Sequence, residues 1–93
     1  MIGKSVLIRT YSAGVHFGIL AKHEGREVEL RDARRIWSWK GANTLNEIAL
    51  HGVAKDGSRV SEQVARVILT EVIEIIPLTQ EAIDSLGAAG WGA

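Results

Sequence analysis

A period of two runs through the first forty residues and commits them to β-structure. Val15, Phe17 and Ile19 alternate with His16, Gly18 and Leu20, and Val28 and Leu30 alternate with Glu27, Glu29 and Arg31. Successive side chains of a strand point to opposite faces, so this pattern fits extended chain and not helix. His23-Glu24-Gly25-Arg26 lies between, with glycine at the place that tolerates a positive φ, and the pair reads as a hairpin. Val6-Leu7-Ile8 forms a short run before it, and Arg34 to Lys40 alternates again. That last alternation predicts Arg35, Trp37 and Trp39 on one face and Arg34, Ile36, Ser38 and Lys40 on the other.

Gly41-Ala42 breaks the pattern. Thr44 with Glu47 three residues on fits a capping box, and Leu45, Ile48 and Ala49 give the helix an apolar face that ends at His51-Gly52. Val67 to Ile76 is a dense β-branched segment, which favours a buried strand, with Thr70-Glu71 as a bulge or break. Pro77 cannot donate to a ladder, so the strand ends there or lies at an edge. Thr79 caps a last helix with Ile83 and Leu86 facing inward, and Gly87 ends it. The expected fold class is α+β, a small antiparallel β-sheet of four to six strands with two short helices. Residues 1–86 would form a single domain and 87–93 a glycine-rich C-terminal tail. Two helices this short leave one sheet face bare, to be covered by solvent or by a neighbouring subunit.

With 93 residues the chain has room for one domain that buries about 60–65% of its unfolded surface, little enough that a partner subunit would help. Cysteine is absent, which removes disulfides and thiolate metal sites, and neither metal nor cofactor is expected. No apolar run approaches the ~18 residues of a membrane span. The first nine residues carry no secretory pattern, which makes the cytosol the expected compartment. Eleven basic and eleven acidic residues cancel, which argues against duplex nucleic acid as a partner. Residues 1–40 hold eight Lys/Arg against four Asp/Glu, and the remainder three against seven. The first half is able to carry an anion site unless the halves interleave in space.

Enzyme constellations are weak. His16, His23 and His51 fall on a strand, in a turn and at a helix end, without metal-ligand spacing. No cysteine nucleophile or nucleophile elbow is present, and Glu71 and Glu74 read as solvated rather than as an acid/base pair. Binding features are stronger. Trp37-Ser38-Trp39 follows Arg31, Asp32, Arg34 and Arg35. Indole faces stack flat bases at roughly 1–3 kcal/mol each, and a guanidinium fork grips phosphate with two parallel hydrogen bonds. The same residues also suit core tryptophans with solvated arginines beside them. Arg9-Thr10-Tyr11-Ser12-Ala13-Gly14-Val15 has small residues that let backbone amides approach an anion, although a hairpin corner needs the same types.

These two stretches, with Gly18, with Gly41-Ala42 and Thr44-Leu45, and with Leu69-Thr70-Glu71 and Glu74-Ile75-Ile76-Pro77, resemble the Thoeris anti-defence protein 1 family of small phage and prophage proteins. The similarity spans roughly Val6 to Leu86. It implies a sponge, active in the host cytoplasm, that binds a cyclic ADP-ribose isomer made by a TIR-domain enzyme and holds it uncleaved. The resemblance further implies a homodimer or homohexamer with pockets between subunits, and in some members separate sites for the cyclic oligonucleotides of CBASS-type defence. On the matching positions, Arg9, Tyr11, Ser12, Ala13 and Gly14 would cradle phosphates and ribose. Arg34 or Arg35 would pair with phosphate, Trp37 or Trp39 would stack the base, and Asn43 would bond a base edge or ribose. An enzyme that degrades the same nucleotide is a rival, against which the lack of an acid/base pair counts. The alternative from another class is a phage-encoded oligomeric module that binds single-stranded nucleic acid or is purely structural.

Overall fold

One twelve-residue strand organises the sheet. In the computed structural model, which describes residues 1–88, the elements are β1 (Ser5–Thr10), β2 (Val15–Glu24), β3 (Glu27–Ser38), α1 (Leu45–His51), β4 (Arg59–Val60), β5 (Val64–Leu69), β6 (Val72–Pro77) and α2 (Gln80–Ala88). β3 pairs with β2 along one edge and with both β5 and β4 along the other. β2 pairs in turn with β1, and β1 with β6, every pair antiparallel. The expected α+β class is present, with six strands and two helices. No described helix is long and apolar enough to cross a membrane.

The sheet curls because of how β5 leads into β6. β5 opposes β3 and β6 opposes β1, so β5 and β6 run the same way, with only Thr70 and Glu71 between them. One segment therefore serves both outer edges and wraps the sheet into a partly closed barrel. Two hydrogen bonds pin the crossing: the Val72 amide donates to the Arg26 carbonyl at 3.0 Å, and the Tyr11 amide to the Glu71 carbonyl at 2.9 Å. Thr70-Glu71 is thus a break between two strands, and Pro77 ends β6 on the sheet's margin, as the sequence suggests.

This curling covers one sheet face fully and leaves the other bare in part. The inner face closes on itself around Val6, Ile8, Leu20, Val28, Leu30, Ala33, Leu69 and Val72. The outer face packs Leu7, Phe17, Ile36 and Val60 against Ile48 and Ala49 of α1, Val53, and Leu86 of α2. Each large aliphatic side chain buried this way contributes roughly 1.5–3 kcal/mol. The inner face is thus covered within one chain, while beyond the helices the outer side keeps Ile19, Ile68 and Ile73 exposed, and the Val67–Ile76 segment expected as a buried strand is only partly buried.

The helix ends follow local chemistry. Thr44 Oγ1 accepts from the Glu47 amide at 3.2 Å, and the Glu47 carboxylate accepts from the Asn43 amide at 3.4 Å, one residue before the position a capping box uses. Thr79 Oγ1 accepts from the Ala82 amide at 3.1 Å. α2 continues through Gly87 to Ala88 rather than stopping at the glycine, and the rest of the expected tail lies outside the described residues.

The alternation over Val28–Leu30 and that from Arg34 onward belong to one strand, β3, although their phases differ by one residue. The surplus residue is absorbed as a bulge: Phe17 faces Arg34, Ile19 faces Arg31, and only Gly18 opposes Asp32 and Ala33. Asp32 takes φ +50°, where aspartate is better tolerated than most residues. A Cβ on Gly18 would lie 2.9 Å from the Arg31 carbonyl oxygen and 3.1 Å from Ala33 Cα, so only glycine admits the bulge. Gly18→Ala should therefore lose ~1–3 kcal/mol of stability by overpacking, whereas Asp32→Gly should be neutral or stabilising by up to about 1 kcal/mol. Urea midpoints of the two variants check this, and equal losses would refute the bulge.

Candidate functional site

The register of β2 on β3 sets His16 opposite Arg35 and Phe17 opposite Arg34. Adjacent strand residues face opposite ways, so the two arginines diverge into different surroundings. Arg34 follows Phe17 to the outer face. Its guanidinium carbon stands 6.0 Å from the Phe17 ring centre, and Nε donates to the Ser61 carbonyl at 2.9 Å. Partial burial pushes the Arg34 pKa downward from its ordinary value. Among the described residues no carboxylate lies within ion-pair distance, and Nη1 and Nη2 hold no hydrogen bond.

Three open depressions share Arg34 as a wall. One of about 210 Å³ has an apolar floor of Phe17, Ile19, Leu78 and Ile83 with Asp32 and Gln63 beside it. A wider one of about 460 Å³ adjoins it between Arg34, Glu62, Gln63 and Gly87. The third, of about 200 Å³, lies toward His16, Arg35 and Ser61, with Ala33, Val64 and Val67 as apolar walls.

Arg35 holds this third depression in shape. Its Nε donates to His16 Nε2 at 3.1 Å, and its amide donates to Ser61 Oγ at 2.8 Å. His16 is buried, and desolvation first, then the Arg35 charge, push its pKa down to about 4. The imidazole is neutral near pH 7. Because Nε2 accepts, the ring proton sits on Nδ1, which has no partner.

Arg9, Arg31 and Arg66 are more fully engaged, whereas Arg59 only stacks on Trp37 and the Arg26 side chain holds no partner among the described residues. Arg9 pairs with Glu74 at 3.4 Å, and Arg31 and Arg66 flank the buried Glu29 at 3.7 and 3.1 Å. Within the Arg9–Gly14 stretch, the Thr10 amide and Oγ1 both donate to the Gly14 carbonyl, and the Ala13 amide donates to Thr10 Oγ1. Ser12 Oγ donates to the Glu71 carboxylate at 2.8 Å. Several of this loop's donors are thus already matched to internal acceptors, while the Tyr11 ring stands exposed.

The tryptophans depart from simple alternation. Ile36 pairs with Val60 and Ser38 with Arg59, so Trp37 is a surplus residue bulged outward, beneath the Arg59 guanidinium at 5.7 Å. β3 ends at Ser38, and Trp39 packs against the same core as Ile36. The expected common face of Arg35, Trp37 and Trp39 is therefore corrected: the bulge and the strand end put the two rings in different environments. Asn43 is exposed, its amide turned to Glu47.

The structure thus brings Arg34 and Arg35 to one set of cavities. The Arg9–Gly14 loop, Trp37, Trp39 and Asn43 are not among the residues lining those cavities. Sequence reasoning passed over His16, Ser61 and Gln63. For His16 a signal existed, since it shares with Gly18 and Leu20 the face that becomes the sheet's interior; the polar link 61–63 carries none. Among the described residues no group of three or more His, Cys, Asp or Glu side chains is placed to hold a metal ion.

Fold and cavities together define a small curled-sheet α+β domain with an unpaired, half-buried guanidinium at its surface depressions. The chain belongs to the family described as a domain of unknown function, DUF6948, whose profile matches residues 3–86. No curated protein and no solved structure matches it.

The buried histidine makes stability depend on pH. The folded ring binds its proton at about 4 and the unfolded one at 6.5, so the unfolded state holds more protons between these values. Stability is complete above about pH 6.5, declines as the pH falls through that window, and levels off below about 4, with a loss from this group of ~2 kcal/mol between pH 7.5 and 5. His16→Gln should lack that decline, as urea unfolding of both proteins at the two pH values would show. Parallel pH profiles for the two would refute the assignment.

Proposed function

We propose that the protein is a non-catalytic nucleotide sponge that captures a cyclic ADP-ribose-type signal, holds it intact and so blocks Thoeris immunity on behalf of a phage. The observation that carries this reading is Arg34: a half-buried guanidinium without a carboxylate partner among the described residues, fronting one depression with an apolar floor and a wider polar one. Charge-assisted bonds from Nη1 and Nη2 to a pyrophosphate would relieve its desolvation. The floor of Phe17, Leu78 and Ile83 suits the apolar face of a ribose or base. The resemblance stated above supplies the ligand class.

The depressions open to solvent on a single chain, and nanomolar capture, about −12 kcal/mol, calls for a closed pocket. In this reading a second subunit of a homodimer or homohexamer provides the missing wall. Exposed Trp37 beneath Arg59 favours one other reading, a module for single-stranded nucleic acid, which predicts steep salt dependence.

The test mixes purified protein with a cyclic ADP-ribose isomer, removes free ligand and heats the complex. Intact nucleotide should be released, whereas a hydrolysed product would mark an enzyme. Arg34→Ala should weaken binding by roughly 10- to 150-fold, the worth of a hydrogen bond to a charged group. Arg9→Ala should cost less, because Glu74 already engages that side chain. Undiminished binding by Arg34→Ala would refute the site.

A further inference from the structure

The part of the sheet's outer side that the helices leave open carries charge in an order that a single chain does not resolve. The strand register sets its side chains in three successive rows. Glu24 of β2 faces Glu27 of β3. Next, Lys22 faces Glu29, which faces Ile68 of β5. Last, Ile19 faces Arg31, which faces Arg66. Residues directly opposite in antiparallel strands point to the same side, and alternate residues of β3 share that side. A shallow depression of about 170 Å³, bordered by Lys22, Glu24, Glu27, Glu29, Arg66 and Ile68, agrees with this placement.

The first row is thus a carboxylate pair and the last a guanidinium pair, about 13 Å apart along β3. Like charges directly opposite each other are destabilising. The guanidinium pair is only half relieved, because Arg31 Nη2 and Arg66 Nε share the one buried carboxylate of Glu29, at 3.7 and 3.1 Å. Glu24 and Glu27 are exposed and hold no ion pair among the described residues. Ile68 in the middle row is 50% exposed and Ile19 in the last row 36%. We propose that this face is an interface with a second copy of the chain, related by a two-fold axis that runs along the middle row. That operation reverses the strand direction, so the Arg31–Arg66 row of each copy lies over the Glu24–Glu27 row of the other, and Ile68 meets its own counterpart on the axis. Lys22 also meets its counterpart there, with a Glu24 on either side to neutralise the pair. An isologous interface must be self-complementary. An unrelated acidic or basic partner would satisfy one outer row and be repelled by the other. Ile19 also lines the depression fronted by Arg34, so a copy seated here reaches the rim of that site. The interface itself does not rest on the nucleotide reading and stands whether or not a nucleotide binds.

Three rows across three strands cover far less than the ~800 Å² per partner of a standard interface, so the dimer is a weak, reversible one. The test is sedimentation equilibrium of the full, ligand-free chain over a concentration series. The chain should associate to a dimer, and raising salt from ~0.05 to ~0.5 M should weaken that dimer several-fold by screening. Glu27→Arg and Arg31→Glu should each weaken it by roughly 10- to 100-fold, because each sets like charges together twice per dimer. Mixed in equal amounts, the two variants should associate with each other, since each supplies the charge the other lacks. Circular dichroism and thermal melting show whether each variant is folded. Glu27→Arg breaks no ion pair of the single chain, so it decides alone should Arg31→Glu fail to fold. A monomer at every concentration would overturn the interface. So would a dimer indifferent to salt and to Glu27→Arg, or two folded variants that do not associate when mixed.

Discussion

The fold depends on one segment meeting two edges. Val64 to Leu69 pairs with β3 and Val72 to Pro77 pairs with β1, and only two residues separate them. That forces the β1–β2–β3 sheet to bend until its margins lie within reach of one chain. The tip of the β2–β3 hairpin is drawn over so that the Arg26 carbonyl receives the Val72 amide. Curvature on this scale requires the ladder to miscount. It does so at Asp32 opposite Gly18, at Ala21 between Leu20 and Lys22, at Ile73 between Val72 and Glu74, and at Trp37. The reward is an inner core built without disulfides, in which Val6, Ile8 and Leu30 are wholly buried.

The same miscounting generates the candidate site. β3 must carry β5 on its first half and β4 on its second, and the link 61–63 bridges the gap between them. Ser61 stays tied to the β3 backbone through its amide, which donates to the Arg35 carbonyl at 2.7 Å, while its carbonyl is taken by the Arg34 side chain through Nε. The cavities lie along this discontinuity.

Much of the architecture was legible in the sequence, because strand alternation, turn glycines and helix caps are local. The β2–β3 hairpin, the Thr44 and Thr79 caps, the pause at Thr70-Glu71 and the stop at Pro77 all follow from neighbouring residues. Closure was not legible. That β5 and β6 land on opposite margins is a long-range fact, and nothing local shows that the inner face closes on itself. The faces beyond Ile36 were misjudged for a related reason. Period-two reading assumes an uninterrupted ladder, and the bulge at Trp37 is set by where β4 attaches. Of the site, the two arginines were visible and their divergence followed from adjacency. His16 hid because histidine at a strand position is usually solvated, and its burial comes from strands distant in sequence.

The choice between the two stretches proposed to bind an anion comes down to what already sits beside each cation. Arg9 and its loop are chemically plausible, yet Glu74 lies 3.4 Å from the guanidinium and Glu71 occupies the Ser12 hydroxyl. An incoming anion there must displace two carboxylates and gains little over what it breaks. Arg34 presents the opposite balance. Its charge is partly removed from water, only a carbonyl and an aromatic face compensate it, and two of its nitrogens are uncommitted. Desolvation without a counter-charge is a standing free-energy penalty in the empty state, which an anion of the right shape removes on arrival. Between two stretches of similar composition, the one left electrostatically incomplete by the fold is the one with binding energy still to give.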